Sequence, residues 1–229
     1  ASDVYKRQIR TLAMQYTQFQ RAMASGARIF ELLDLVPETQ DKPNAPLLPR
    51  IEGEIQFENV TFSYNAGEDV LHDINLQIKP GQTVALVGIT GAGKTSLVAL
   101  AARLYEPQKG RILVDGKNIQ EYSRESLASQ MSMVLQEPFL HSSTIKENIR
   151  YRHRWISDEE IIQAAKAVGA HEFISALPRG YDTVLEQRGG NLSIGQRQLV
   201  SFARAVAADP RIIVLDEATA SVDSHTVFL

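Results

Sequence analysis

Gly88-Ile89-Thr90-Gly91-Ala92-Gly93-Lys94-Thr95 satisfies the pattern G-x-x-x-x-G-K-[ST] at every fixed position. Its flanks supply the context the pattern needs. Thr83-Val84-Ala85-Leu86-Val87 is a short apolar, β-branched run that reads as a buried strand, and Ser96 to Leu104 carries apolar residues at helical spacing. A polyphosphate must be wrapped closely by main-chain N–H groups, so Gly88, Gly91 and Gly93 keep the loop bare. The N-terminus of the following helix adds partial positive charge. Lys94 can reach the β- and γ-phosphates, and the Thr95 hydroxyl is placed to ligate Mg²⁺.

Downstream, Arg111-Ile112-Leu113-Val114 reads as a strand closed by the turn Asp115-Gly116. Met131 to Leu135 is another, ending at Gln136. A polar residue at the carboxyl edge of such a strand is either a plain strand end or a ligand-facing group. Ser157-Asp158-Glu159-Glu160 has capping-box spacing and should open a helix running to about Val168. Leu192-Ser193-Ile194-Gly195-Gln196 precedes a strongly helical run to Val206, with Ser193 a natural N-cap. The same helix start can hold an anion. Arg211 to Leu215 reads as a buried strand ending in Asp216-Glu217. Adjacent carboxylates there can hold Mg²⁺ through water and accept a proton from an attacking water.

Upstream, Ile55, Phe57, Val60 and Phe62 alternate as one strand, and Ile74, Leu76 and Ile78 as another, with Asn65-Ala66-Gly67 the turn between. They predict an antiparallel layer beside the nucleotide core. Tyr64 ends the first strand; alone it reads as a rim tyrosine. Ile9, Leu12, Tyr16, Phe19, Met23, Phe30 and Leu33 form the stripe of an amphipathic helix in search of partner helices. Pro37, Pro43, Pro46 and Pro49 then punctuate a polar stretch that reads as a linker.

The formal net charge of −3 over 229 residues gives no bulk basicity, so no nucleic-acid partner is expected. The absence of cysteine excludes disulfides and thiolate metal sites. No apolar run reaches the roughly 18 residues of a membrane span.

Taken together, these elements resemble the nucleotide-binding domain of ATP-binding cassette transporters, from about Ile51 to Asp223. Leu192-Ser193-Ile194-Gly195-Gln196 is similar to the family signature LSGGQ, which other phosphate-loop ATPases do not carry. The resemblance implies that Tyr64 stacks on adenine and that Gly88, Thr90, Gly91, Ala92, Gly93, Lys94, Thr95 and Ser96 hold the phosphates. Ser193, Gly195 and Gln196 would meet the nucleotide of a partner subunit. Thr95, Gln136 and Asp216 would hold Mg²⁺; Glu217 would be the general base, assisted by Lys94 and Gln136; Ser221-Val222-Asp223 would be the D-loop. ATP and Mg²⁺ are the cofactors so implied.

The expected fold is α/β: a phosphate-loop core with a mostly parallel sheet, an antiparallel β-subdomain and a helical signature subdomain, preceded by an N-terminal helix. Gln136 to Leu140, Thr144 to Ile149 and Glu186 to Gly190 resemble exporter segments. Residues 9–36, with Ala27 to Asp34, resemble the cytoplasmic end of a last transmembrane helix in multidrug or lipid half-transporters, while residues 1–8 match no pattern. The expected division is 1–36 that helix end, 37–50 a linker and 51–229 the nucleotide-binding domain. The implied partners are a second such domain, identical or not, and a membrane domain fused upstream, at the cytoplasmic face of the cell membrane. The alternatives are a soluble cassette ATPase or a nucleotide-binding module without turnover. Ile194 departs from the family's usual glycine. The chain stops before the family's switch histidine, His225 being too early for that role, and the whole is expected to be a fragment of a longer reading frame.

Overall fold

The structure, a computed structural model, describes residues 2–37, 39–65, 67–135 and 137–216. The chain divides into two compact units, residues 1–40 and 41–229. The first is built on one helix, α1 (Ser2–Leu33). Its apolar stripe, Ile9, Leu12, Tyr16, Phe19, Met23, Phe30 and Leu33, is exposed.

The second unit begins with an antiparallel sheet ordered β2-β1-β3-β4, made of β1 (Ile55–Ser63), β2 (Asp69–Ile78), β3 (Lys109–Val114) and β4 (Lys117–Asn118). Alternation alone would send Ile55 and Phe57 to one face and Val60 and Phe62 to the other. All four are nevertheless buried together. A bulge at Asn59 (φ 51°) shifts the register on both sides of β1 and switches the parity. Asn59 N–H donates to Asn75 Oδ1 at 2.9 Å, and its side-chain amide donates to Asp73 Oδ1 at 2.9 Å. Gly110 lies opposite the bulge, where any Cβ would collide with the carbonyls of Glu58 and Asn59.

Ile55, Phe57, Val60 and Phe62 pack with Leu71, Ile112, Val114 and Ile119 against Leu100 of α2 (Lys94–Ala101) and Leu127 of α3 (Arg124–Ala128). β5 (Met131–Val134) and β6 (Ile212–Leu215) pair in parallel, and Ile212 joins the same core. The α/β core with its antiparallel layer is as the sequence predicts. One element differs: residues 83–87 form no strand, with Val84 and Leu86 partly exposed and Val87 92% exposed. Among the described residues, β6 pairs with β5 alone. An apolar run becomes a buried strand only when a neighbour takes up its N–H and C=O groups, and composition cannot supply that neighbour. β6 is likewise covered on one face only, since Ile213 and Leu215 stay half exposed.

The remaining helices form a second core. α4 (Ile145–Arg150), α5 (Asp158–Ala167), α6 (His171–Ala176) and α7 (Ile194–Ala207) bury Ile145, Ile149, Ile161, Ile174 and Val200 together. α5 starts in the expected capping box: Ser157 Oγ accepts from Glu160 N–H and Glu160 Oε2 accepts from Ser157 N–H. That backbone hydrogen bond to the carboxylate lowers the Glu160 pKa.

His153 lies in this half, only 7% exposed, with Nδ1 unpartnered among the described residues, and burial lowers its pKa. The folded protein thus resists the proton that the unfolded chain takes up below about pH 6.5. This contribution to stability is complete above that pH and is lost as pH falls toward the depressed folded value, at no more than about 1.4 kcal/mol per pH unit. Urea unfolding at pH 7.5 and 5.5 should show a larger acid loss for the native protein than for His153→Gln. Equal losses would show that His153 titrates alike in both states.

Candidate functional site

The loop adopts the backbone its glycines permit. Gly91 and Gly93 have φ of 85° and 83°. A Cβ on Gly93 would lie 2.6 Å from Leu71 Cδ2 and 3.3 Å from Val70 O, so a side chain at this positive φ would push Leu71 of β2 aside. Ala92 N–H donates to Ile89 O at 3.1 Å, closing the turn. Lys94 Nζ donates to Gly88 O at 2.8 Å and Ile89 O at 3.0 Å, so its ammonium sits against the loop. Thr90, Gly91, Ala92 and Thr95 are exposed to solvent, and Ser96 is buried.

Tyr64 reaches this helix start. Its hydroxyl shares a 2.9 Å hydrogen bond with Ser96 Oγ, although the residue as a whole is 50% exposed. The ring stands edge-on to Phe62 and Tyr105, with centroids 4.9 and 5.2 Å away. The side chain of Gln108 accepts from Ser63 N–H and donates to Ser63 O, both at 2.8 Å. Nothing in the sequence pattern marks Tyr105 or Gln108 as part of the site. Their place just beyond the phosphate-loop helix was visible, but their contact with the end of β1 was not.

Asp216 follows β6, and its N–H donates to Val134 O at 3.0 Å. Because β5 and β6 are parallel, Asp216 and the segment leading to Gln136 emerge at one carboxyl edge. No hydrogen bond or ion pair joins Asp216 to α2 among the described residues. Gln136, Glu217, Ser221-Val222-Asp223 and His225 lie outside the described residues.

α7 opens in a capping box. Ser193 Oγ accepts from Gln196 N–H at 3.2 Å, and Gln196 Oε1 accepts from Ser193 N–H at 3.0 Å. A serine hydroxyl accepts and donates at once. Ser193 is exposed and can therefore cap its own helix while donating to an external anion. Ile194 takes the helical conformation without a positive φ and projects 58% exposed. A side chain in place of glycine leaves this helix start intact and adds an apolar group beside it.

Further along α7, Arg204 gathers the segment that follows Gln136. It donates from Nη1 to Phe139 O at 2.9 Å, from Nε to Asn148 O at 2.7 Å and from Nη2 to Asn148 Oδ1 at 3.1 Å. Its guanidinium lies 4.9 Å from the centre of the Tyr151 ring, and burial lowers its pKa. Asn148 binds His141 through both its N–H and its C=O. Arg204 and Asn148 thus tie α7 to the stretch after Gln136 through hydrogen bonds.

A bare glycine loop feeding a helix, with a tyrosine bonded to that helix's first turn, defines a phosphate-loop nucleotide-binding domain. The family model described as ABC transporter matches residues 71–220. The uncharacterized ABC transporter ATP-binding protein YknV of Bacillus subtilis (strain 168) is 52% identical over 95% of this chain and 36% of its own length. The fatty acid ABC transporter ATP-binding/permease protein of Mycobacterium tuberculosis (strain CDC 1551 / Oshkosh) is 46% identical over 95% of this chain and 34% of its own. The solved structure of a bacterial Atm1-family ABC exporter with ATP bound superposes with a TM-score of 0.84 at 38% identity, covering 94% of this chain and 38% of that one. The chain belongs to the ABC transporter family. It spans about a third of the length of these curated relatives.

Proposed function

We propose that this chain is the ATP-hydrolysing motor domain of an exporter, working as one of a pair. The observation that carries this reading is the combination of a formed phosphate loop with an exposed, capped signature helix start in the same chain. Two such domains facing head to tail would each offer what the other's nucleotide lacks. Tyr64 would stack on adenine, and the loop from Gly88 to Ser96 would wrap the phosphates, with Lys94 neutralising their charge. Ser193, Gly195 and Gln196 of the partner would complete the γ-phosphate end. Hydrolysis and phosphate release remove the group that bridges the two helix starts, so the pair opens.

Thr95, Gln136 and Asp216 are hard oxygen donors of the kind Mg²⁺ takes. Bound among them, the ion would supply charge neutralisation at the phosphates. Glu217 would accept the proton of the attacking water, and Gln136 would report occupancy to a membrane domain. Relatives named as ATP-binding/permease proteins support a membrane domain on the same polypeptide and a place at the cytoplasmic face of a membrane. No described helix is long and apolar enough to cross a membrane.

In the full-length protein, Ser193→Ala should lower ATP turnover by about ten- to a hundredfold, the worth of a hydrogen bond to a charged group. ATP affinity before closure should hardly change. Thr90→Cys on one subunit and Ser193→Cys on its partner should form a disulfide in the presence of ATP and much less with ADP. Equal yields with both nucleotides would sink the head-to-tail arrangement.

A further inference from the structure

We propose that Tyr105 and Gln108 are positioning residues for the nucleotide base, acting by fixing the pose of Tyr64. This rests on the reading of Tyr64 as the base-stacking group. Tyr64 stands at the end of β1, half exposed, where an unsupported ring would sample several rotamers. The structure holds it from three directions. The hydroxyl is tied to Ser96 Oγ at 2.9 Å, in the first turn of the phosphate-loop helix. Tyr105 meets the ring at 88° and 5.2 Å between centroids, within the range of a favourable edge-to-face pair. Gln108 clips the preceding residue, its amide bonding both the N–H and the C=O of Ser63. Gln108 N–H also donates to Thr61 O at 3.1 Å.

Tyr105 and Gln108 sit on the connection that leaves α2 and enters β3. Near its start stands Arg103, which is 2% exposed and fixed by Asp41, Glu106 and the carbonyls of Ile119 and Tyr122. The brace is therefore anchored at its own root. A base-stacking ring already held in place loses less rotamer freedom when a base arrives, and that saving appears as affinity for the base but not for the phosphate tail.

The test compares dissociation constants for Mg-ATP and inorganic tripolyphosphate in the full-length protein and its Tyr64→Ala, Tyr105→Ala, Tyr105→Phe and Gln108→Ala variants. Tyr64→Ala sets the scale by removing the preference for ATP. Tyr105→Ala should weaken ATP about two- to tenfold, the worth of an edge-to-face aromatic pair, and leave tripolyphosphate unchanged. Tyr105→Phe should bind as the native protein does, since the ring and not the hydroxyl makes the contact. Gln108→Ala should move in the same sense as Tyr105→Ala. A preserved ATP preference in Tyr105→Ala and Gln108→Ala, with Tyr64→Ala effective, overturns the brace alone. Parallel weakening of both ligands also overturns it, by showing general damage. An unchanged preference in Tyr64→Ala overturns the stacking role and the brace with it.

Discussion

Glu217→Gln in the full-length protein should lower ATP turnover by about a hundred- to ten-thousandfold, the usual contribution of a positioned general base. ATP affinity should stay within a small factor of the native value. The amide keeps the size of the carboxylate but cannot take up the proton of the attacking water. The preceding residue, Asp216, is hydrogen-bonded through its N–H to Val134 at the carboxyl edge of the β5–β6 pair. Steady-state phosphate release gives the rate, and ATP binding to the same preparation gives the affinity. Native-like turnover would remove Glu217 from the role of base; lost binding would make it a phosphate or metal contact instead.

Arg103→Ala should destabilise the protein by about 2–4 kcal/mol, as expected when a buried guanidinium is removed from main-chain acceptors that lose their donor, at about 1–3 kcal/mol each. The guanidinium is 3.1 Å from Asp41 and 3.2 Å from Glu106, and also satisfies the carbonyls of Ile119 and Tyr122. Without it, those carbonyls lose a donor in a site too buried for ready hydration. Asp41 also accepts the Arg124 N–H, so the same change loosens the segment entering the second unit. Arg103→Lys restores one charge but not the fork, and should recover only part of the loss. Denaturant unfolding of the three proteins checks the order. An Arg103→Ala protein as stable as the native one would show that the cluster only balances its own desolvation.

The candidate site was legible in the sequence to different depths. The phosphate loop could be read outright, because Gly91 and Gly93 need positive φ and the lysine and threonine follow at fixed offsets. The capping box at Ser157 and the N-cap at Ser193 could be read for the same reason, since each is closed between residues three apart on one helix turn. That Gln196 completes a box at Ser193 comes from the structure. Ser193 alone left two readings open, cap or anion contact. Its exposure shows that these are compatible, the oxygen capping the helix while the hydroxyl proton stays available. Tyr64 read as a rim residue until the family resemblance gave it a role. The hydrogen bond to Ser96 is what connects it physically to the phosphate loop.

By itself, then, the sequence determined what short-range geometry fixes: the glycine loop, the helix starts and the apolar runs of β1, β3 and β5. Tertiary structure alone decided what those runs meet. Asn59 reverses the facing of β1 through bonds to Asp73 and Asn75, which no count of alternating residues contains. Val84, Leu86 and Val87 have a strand's composition without a strand's pairing. Tyr105 reaches Tyr64, and Gln108 reaches Ser63, only after the β-layer has folded beside α2. The reason is that turns and caps close within one turn of chain, whereas pairing and packing depend on which distant surfaces the folded chain brings together.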